Sequence, residues 1–326
     1  MAKKNKNALN KSDEPKKLTL YTISLNDEQM KKLEHICDQR VWEYYAVDYT
    51  RFAFKAKHQK VNIVAYESGK LVIQGKGTED FVRDTLEAKI TGEPRLGYEE
   101  FHNPEWFEPH AGLDEAGKGD LFGPLITCCV IADGDMVRDW MKKGVKDSKR
   151  MTDSSVIEVE KIIRNTRGVI VQTAYCGMNK YNQLMSKPHA NLNRLMAWLH
   201  ARALEDALKK NPVSWGLLDQ FSKEPLVQKM IKDEDFELRM RTKAEEDPVV
   251  AAASICARAE FVRQMDTLSK KAGESLKKGA SAEVKKQAQM IVDNKGPNAL
   301  GDFAKLHFKT AREVLGLPVA SKESFK

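Results

Sequence analysis

Hydrophobic and polar residues alternate over residues 18–25, the period of a half-buried strand. The period changes to helical spacing at Met30, Leu33 and Ile36, behind the capping residue Asn26. Four short strand-like runs follow at 41–47, 51–57, 61–66 and 70–74, the last pair joined by the tight turn Glu67-Ser-Gly69. A second helix is predicted from Thr78 to about Lys89, with Phe81, Val82 and Leu86 on one face. Residues 18–93 thus read as a compact β-α-β-β-β-β-α domain. The Gly-, Pro- and aromatic-rich stretch 94–109 breaks every period and reads as a linker.

From His110 onward strands and helices interleave. A short strand enters Asp114, an apolar strand covers 125–131, a helix 152–165 and a strand 168–176. A helix at 191–210, a strand at 213–219, a short helix at 225–231, a strand at 236–242 and a helix at 248–271 follow. Such interleaving predicts an α/β domain over residues 110–326, a mixed sheet covered by helices and closed by a helical C-terminal region, and an α+β chain when the first domain is included. Residues 1–17 show no hydrophobic period and are expected to form a disordered basic arm.

Composition narrows the function classes. With 41% hydrophobic and 31% charged residues the chain has a globular composition. Its longest nearly apolar run, 121–132, is interrupted by Gly123 and Pro124 and falls short of the roughly 18 residues of a membrane span. A secretory signal is not evident at the N-terminus, so a cytoplasmic location is expected. The five cysteines are odd in number and lack a Cys-x-x-Cys pair, which suggests reduced packing residues rather than disulfides or a zinc site. The net charge is +7; residues 1–17 hold six lysines against Asp13 and Glu14, leaving a mildly basic body that is compatible with a nucleic-acid partner.

The densest chemistry is Gly112-Leu-Asp-Glu-Ala-Gly-Lys-Gly-Asp120. Adjacent Asp114 and Glu115 at a strand end repel one another, and a divalent cation such as Mg2+, which takes carboxylate oxygens, would relieve them; an acidic surface turn is the plainer alternative. Gly112-x4-Gly117-Lys118 approaches a phosphate-binding P-loop, but Gly119 lacks the hydroxyl that holds Mg2+, and a strand follows instead of a helix. Asp219 ends the apolar strand 213–218, where ligands of α/β sheets gather. The small-residue helix Ala251-Ala-Ala-Ser-Ile-Cys-Ala-Arg258 can approach the sheet closely and bring Glu245 to the same place, although a Glu-Glu-Asp run also suits a plain helix start.

In this order the motifs resemble those of the type 2 ribonucleases H, and most closely the ribonuclease HIII family. The resemblance is carried by 112–124, Val145-Lys-Asp-Ser-Lys149, Leu217-Leu-Asp-Gln220, Thr242-Lys-Ala-Glu245, 251–258 and Lys305-Leu-His-Phe-Lys309. It implies a ribonuclease H-like catalytic domain and, over 18–93, a TATA-binding-protein-like substrate-binding domain. It further implies endonucleolytic cleavage of the RNA strand of RNA-DNA hybrids, giving 5′-phosphate and 3′-hydroxyl ends. Two Mg2+ ions, with Mn2+ as a substitute, would be held by Asp114, Glu115, Asp219 and Glu245.

The interval from Glu245 to Ala251 is about one residue shorter than the family pattern, which makes Glu246 the alternative fourth ligand. Gly117, Lys118, Gly119, Lys146, Ser148 and Lys149 are implied to contact substrate. Lys305 and Lys309 are expected to face nucleic acid, and His307 stays outside the catalytic set. Lys278-Gly-Ala280 stands where ribonuclease HII offers a junction-reading Tyr. A monomer with no membrane partner is expected. The competing readings are ribonuclease HII-like cutting at single embedded ribonucleotides and a non-catalytic nucleic-acid-binding protein.

Overall fold

The computed structural model describes residues 18–96, 98–145, 151–233 and 235–318, and the chain divides into two compact units between Glu105 and Trp106. The arm 1–17 and the segment with Lys146, Ser148 and Lys149 lie outside the described residues.

In the first unit, β1 (Leu20–Ser24), α1 (Asp27–Gln39), β2 (Glu43–Tyr44), β3 (Thr50–Ala56), β4 (Val61–Tyr66) and β5 (Lys70–Gln74) form an antiparallel sheet of order β1-β5-β4-β3-β2 with α1 packed on it. A reciprocal cap starts α1: the Asn26 side chain accepts from the Gln29 amide at 2.9 Å, and the Gln29 side chain accepts from the Asn26 amide at 3.0 Å. Met30, Leu33 and Cys37 then bury against Phe52, Phe54, Ile63, Leu71 and Ile73. The strand expected at 41–47 shrinks to two residues; positive φ turns the backbone at Val41 (55°), shortly before β2, and at Tyr49 (60°), directly before β3. The second helix begins as α2 (Thr78–Phe81) and continues with π-helical bonding over Val82–Thr91.

The second unit has β6 (His110–Ala116), β7 (Ile126–Ala132), α4 (Gly134–Lys142), α5 (Asp153–Arg164), β8 (Ile170–Tyr175), α6 (Met178–Met185) and α7 (Leu192–Leu208). It continues through β9 (Trp215–Asp219), β10 (Glu237–Arg241), α8 (Pro248–Ala272), α9 (Ala282–Lys295) and α10 (Lys309–Val314); α3 (Glu99–His102) lies earlier, in the stretch read as a linker. The sheet order is β10-β9-β6-β7-β8, with β6, β9 and β10 parallel and β7 antiparallel to both β6 and β8.

The unbroken apolar run of β7 has a direct cause. Cys128 and Val130 face a core with Val249, Ala252, Ile255 and Cys256 of α8, while Cys129 and Ile131 face another with Ala197, Ala201 and Leu204 of α7. A strand buried on both faces needs no polar alternation. The short α3 in the stretch read as a linker, α4 and α6 are not expected from the sequence, and the helix expected at 225–231 is only a 3-10 turn at Gln228–Met230. All five cysteines are free thiols. Among the described residues no helix is long and apolar enough to cross a membrane.

Candidate active site

The central strand β6 carries the first two carboxylates. A side chain at Gly112 would place its Cβ 2.4 Å from main-chain atoms of Val249 and Val250, so the missing side chain is what lets the start of α8 lie directly on β6. That contact brings Ser254 of α8 into hydrogen bonding with Asp114. Burial, then the charge of Glu115, push the Asp114 carboxyl up to about 7; the hydrogen bonds from Ser254 and the Glu115 amide oppose the shift, and Asp219 adds to it. Asp114 therefore sits among negative groups on two adjacent strand ends, since Leu113 of β6 pairs with Leu218 of β9.

Glu115 is treated differently by its surroundings. Burial would raise its carboxyl, but the hydrogen bond and charge of His200 and the charge of Lys118 outweigh it and hold the group below its ordinary value. His200 Nε2 lies 3.2 Å from Glu115 Oε2, and Lys118 Nζ lies 3.8 Å from Oε1.

Asp219 Oδ1 accepts from the Ala244 amide at 3.1 Å, which ties the end of β9 to the turn Ala244–Glu246. Within that turn Glu245 is half-buried and Glu246 exposed. The four carboxylates are thus borne by β6, β9 and one turn leading into α8. Their oxygen-only chemistry and concentrated negative charge suit a hard divalent cation. Among the described residues, however, no three His, Cys, Asp or Glu side chains form a ready-made group for one ion.

The glycine loop leaves β6 in a tight turn. Gly117 has φ +84°, and a Cβ there would meet the Pro124 carbonyl at 2.4 Å and the Phe261 ring at 2.7 Å, whereas Gly119 faces open space. Asp120 Oδ1 accepts from the Gly279 amide at 2.5 Å, so the Lys278-Gly-Ala280 segment docks against the end of this loop. Lys278 itself pairs with Asp153 at 2.6 Å.

One expectation is corrected. Lys305 does not face nucleic acid: it is fully buried, and its ammonium donates to the Asp120 carbonyl at 2.7 Å and to that of Gly123. Those two carbonyls replace water around the cation and clamp the 120–123 loop. Lys309 is exposed and lies 3.6 Å from Glu313. His307 packs between Tyr181 and Phe308, and burial followed by the charge of Lys305 lowers its basicity to about 4.

A profile described as Ribonuclease HII matches residues 111–311, and one described as Domain of unknown function (DUF3378) matches residues 23–92. The ribonuclease HIII of Chlamydia caviae is 38% identical over 267 residues, covering 80% of this chain and 86% of that protein. This chain belongs to the ribonuclease HIII family. It is a ribonuclease H enzyme with the two-sheet α/β architecture of that family. The ribonuclease HIII of Chlamydia muridarum is 39% identical over 81% of this chain and 87% of its own. The crystal structure of Bst-RNase HIII in complex with Mn2+ superposes with a TM-score of 0.61 at 27% identity, covering 91% of this chain and 98% of the other.

Neither Ser254 nor His200 is marked by the sequence as part of the site. Ser254 lay inside a quoted motif, and His200 was a lone imidazole in the apolar helix 191–210, a signal that gains meaning only once α7 is seen to pack behind Glu115.

Proposed function

We propose that this ribonuclease HIII hydrolyses the RNA strand of RNA-DNA hybrids internally, leaving 5′-phosphate and 3′-hydroxyl ends. Asp114, Glu115, Asp219 and Glu245 act as ligands of divalent cations, Mg2+ first and Mn2+ as a substitute. The observation that carries this reading is the half-buried Asp114 carboxyl, hydrogen-bonded by Ser254 and facing the charges of Glu115 and Asp219. A like-charged cluster beside a polyanion is unfavourable for a pure binding protein and becomes useful when cations stand between the two.

Held there, divalent cations would supply an activated water and charge stabilisation for the departing 3′ oxygen. The chain's own residues do the rest. β6 and Ser254 place Asp114, Lys118 lies beside Glu115, and the Ala244 amide fixes Asp219 beside Glu245. Half-burial favours Glu245 over the exposed Glu246 as fourth ligand. The open backbone at Gly119 leaves main-chain groups free to approach a minor groove, where 2′-hydroxyls distinguish RNA from DNA, and Lys118 stands beside it for phosphate.

His307 is no general base in this scheme, because its ring is packed against aromatics. The first unit serves as the substrate-binding domain; its exposed Tyr44 and Tyr49, with Lys55 on the adjoining strand, offer stacking and charge to a nucleic acid. The reading includes a monomeric, cytoplasmic enzyme.

The test is a panel of end-labelled duplexes with Mg2+: RNA-DNA, RNA-RNA, DNA-DNA and DNA with one embedded ribonucleotide. Cuts confined to the long hybrid support the proposal. Efficient cutting at the single ribonucleotide moves it to ribonuclease HII-like specificity, and binding without cleavage overturns it.

A further inference from the structure

His200 is fully buried on α7, and among the described residues the polar contact of its ring is Nε2 to Glu115 Oε2 at 3.2 Å. A carboxylate oxygen only accepts, so Nε2 carries the proton and donates. Among the described residues nothing hydrogen-bonds the buried Nδ1, so the ring's polar contact is directed at Glu115. Phe221, two residues beyond Asp219, stacks on the imidazole with centroids 5.6 Å apart and planes 14° apart. Lys118 lies 5.6 Å from the centre of that same Phe221 ring while its ammonium reaches Glu115 Oε1 at 3.8 Å. The ring is therefore held by residues from the strand ends and the glycine loop, and it aims one N–H at one carboxylate oxygen.

We infer that His200 is a positioning residue: by donating to Oε2 it fixes the rotamer of Glu115, with Phe221 as the stacked brace that holds the imidazole in register with Asp219 and Lys118. The inference rests on the proposed metal-ligand role of Glu115 and extends it to the residue behind the ligand. A freely rotating Glu115 would have to be ordered at each ion-binding event; a Glu115 already held by an N–H carries that cost in the folded protein, and losing such a supporting hydrogen bond typically weakens ion affinity about 10- to 100-fold.

The experiment compares wild type with His200→Leu, which fills the space without a donor, and His200→Gln, which restores an N–H near the position of Nε2. Mn2+ binding is read by titration calorimetry without nucleic acid, hybrid affinity in EDTA, and cleavage at fixed Mn2+. His200→Leu is expected to weaken Mn2+ binding about 10- to 100-fold and to lower cleavage in parallel, with hybrid affinity in EDTA unchanged, while His200→Gln recovers most of the loss. Wild-type Mn2+ affinity in His200→Leu, or equal behaviour of the Leu and Gln variants, overturns the inference.

A measurement on wild type decides the matter should His200→Leu fail to fold. In 15N-histidine-labelled protein the His200 ring signals should move with the Mg2+ titration midpoint, and signals unmoved at saturation overturn the proposal. Asp114→Asn separates the two levels. If it keeps Mn2+ binding and cleavage, the metal-site reading itself falls; if it loses both while His200→Leu keeps both, only the positioning role falls.

Discussion

Gly117 and Gly119 are two residues apart in one loop, yet the same substitution should fail for different reasons at each. At Gly117 the backbone has φ +84°, and a Cβ would sit 2.4 Å from the Pro124 carbonyl and 2.7 Å from the Phe261 ring. A left-handed conformation costs an alanine about 1–2 kcal/mol, and forcing a methyl into a packed site costs about 1–3 more. Gly117→Ala should therefore lose about 2–5 kcal/mol, a fall in melting temperature of roughly 4–20 °C for a unit of this size.

At Gly119 no atom lies within 4 Å of the added Cβ and φ is not positive, so Gly119→Ala should leave stability within about 0.5 kcal/mol of wild type. Its methyl would instead stand between the main chain and the hybrid. Loss of one such hydrogen bond costs about 1–3 kcal/mol, which is roughly 5- to 150-fold in affinity. The assay pairs thermal unfolding with hybrid binding in EDTA for both variants. A Gly119→Ala protein that binds and cuts hybrid like wild type refutes the main-chain contact, and a Gly117→Ala protein that melts like wild type refutes the packing account.

Three further outcomes are expected. Glu245→Gln should reduce cleavage by roughly 100-fold or more, as loss of the proposed metal ligand would remove several kcal/mol of transition-state stabilisation, while Glu246→Gln leaves steady-state rates close to wild type. Removing residues 1–105 should weaken hybrid affinity about 100-fold with a smaller change in the chemical step measured at saturating substrate, because the proposed substrate-binding surface of the first unit is lost.

Glu160 is the third case. It is 4% exposed and receives Arg164 at 2.5 Å and Arg263 at 2.7 Å. Burial would raise its carboxyl, but the hydrogen bonds from Arg263 and Arg164 outweigh that and lower it. With both arginines partly solvated, Glu160→Gln should cost about 1–3 kcal/mol at neutral pH. A depressed carboxylate stabilises fully above its unfolded value of roughly 4.3 and loses that contribution as pH falls through the lower folded value, so the gap between wild type and variant in urea unfolding should close below about pH 4.

What the sequence disclosed follows from how local each signal was. The helix at 248–271 and the strand at 125–131 were legible because their residue types answer to burial on nearly every side, a property written into consecutive positions. α4 and α6 escaped notice: they have nine and eight residues, and each buries only a few side chains, too few to establish a period. Asp114, Glu115, Asp219 and Glu245 could be named from motifs. Their support could not, because Ser254 and His200 reach the carboxylates from α8 and α7 across the sheet, at sequence separations of 140 and 85 residues. Lys305 misled for the same reason: a lysine in a basic segment reads as solvated, and only the fold shows two carbonyls taking the place of water.

The central claim is that the carboxylate cluster on β6, β9 and the turn before α8 cuts RNA in a hybrid with divalent cations. Its most direct test is cleavage of an end-labelled RNA strand paired with DNA, with Mg2+ and in EDTA, by wild type and by Asp114→Asn of equal thermal stability. Wild type should make internal cuts with Mg2+ and none in EDTA, and Asp114→Asn should make none despite intact hybrid binding. Near-normal cleavage by Asp114→Asn with Mg2+ would contradict it.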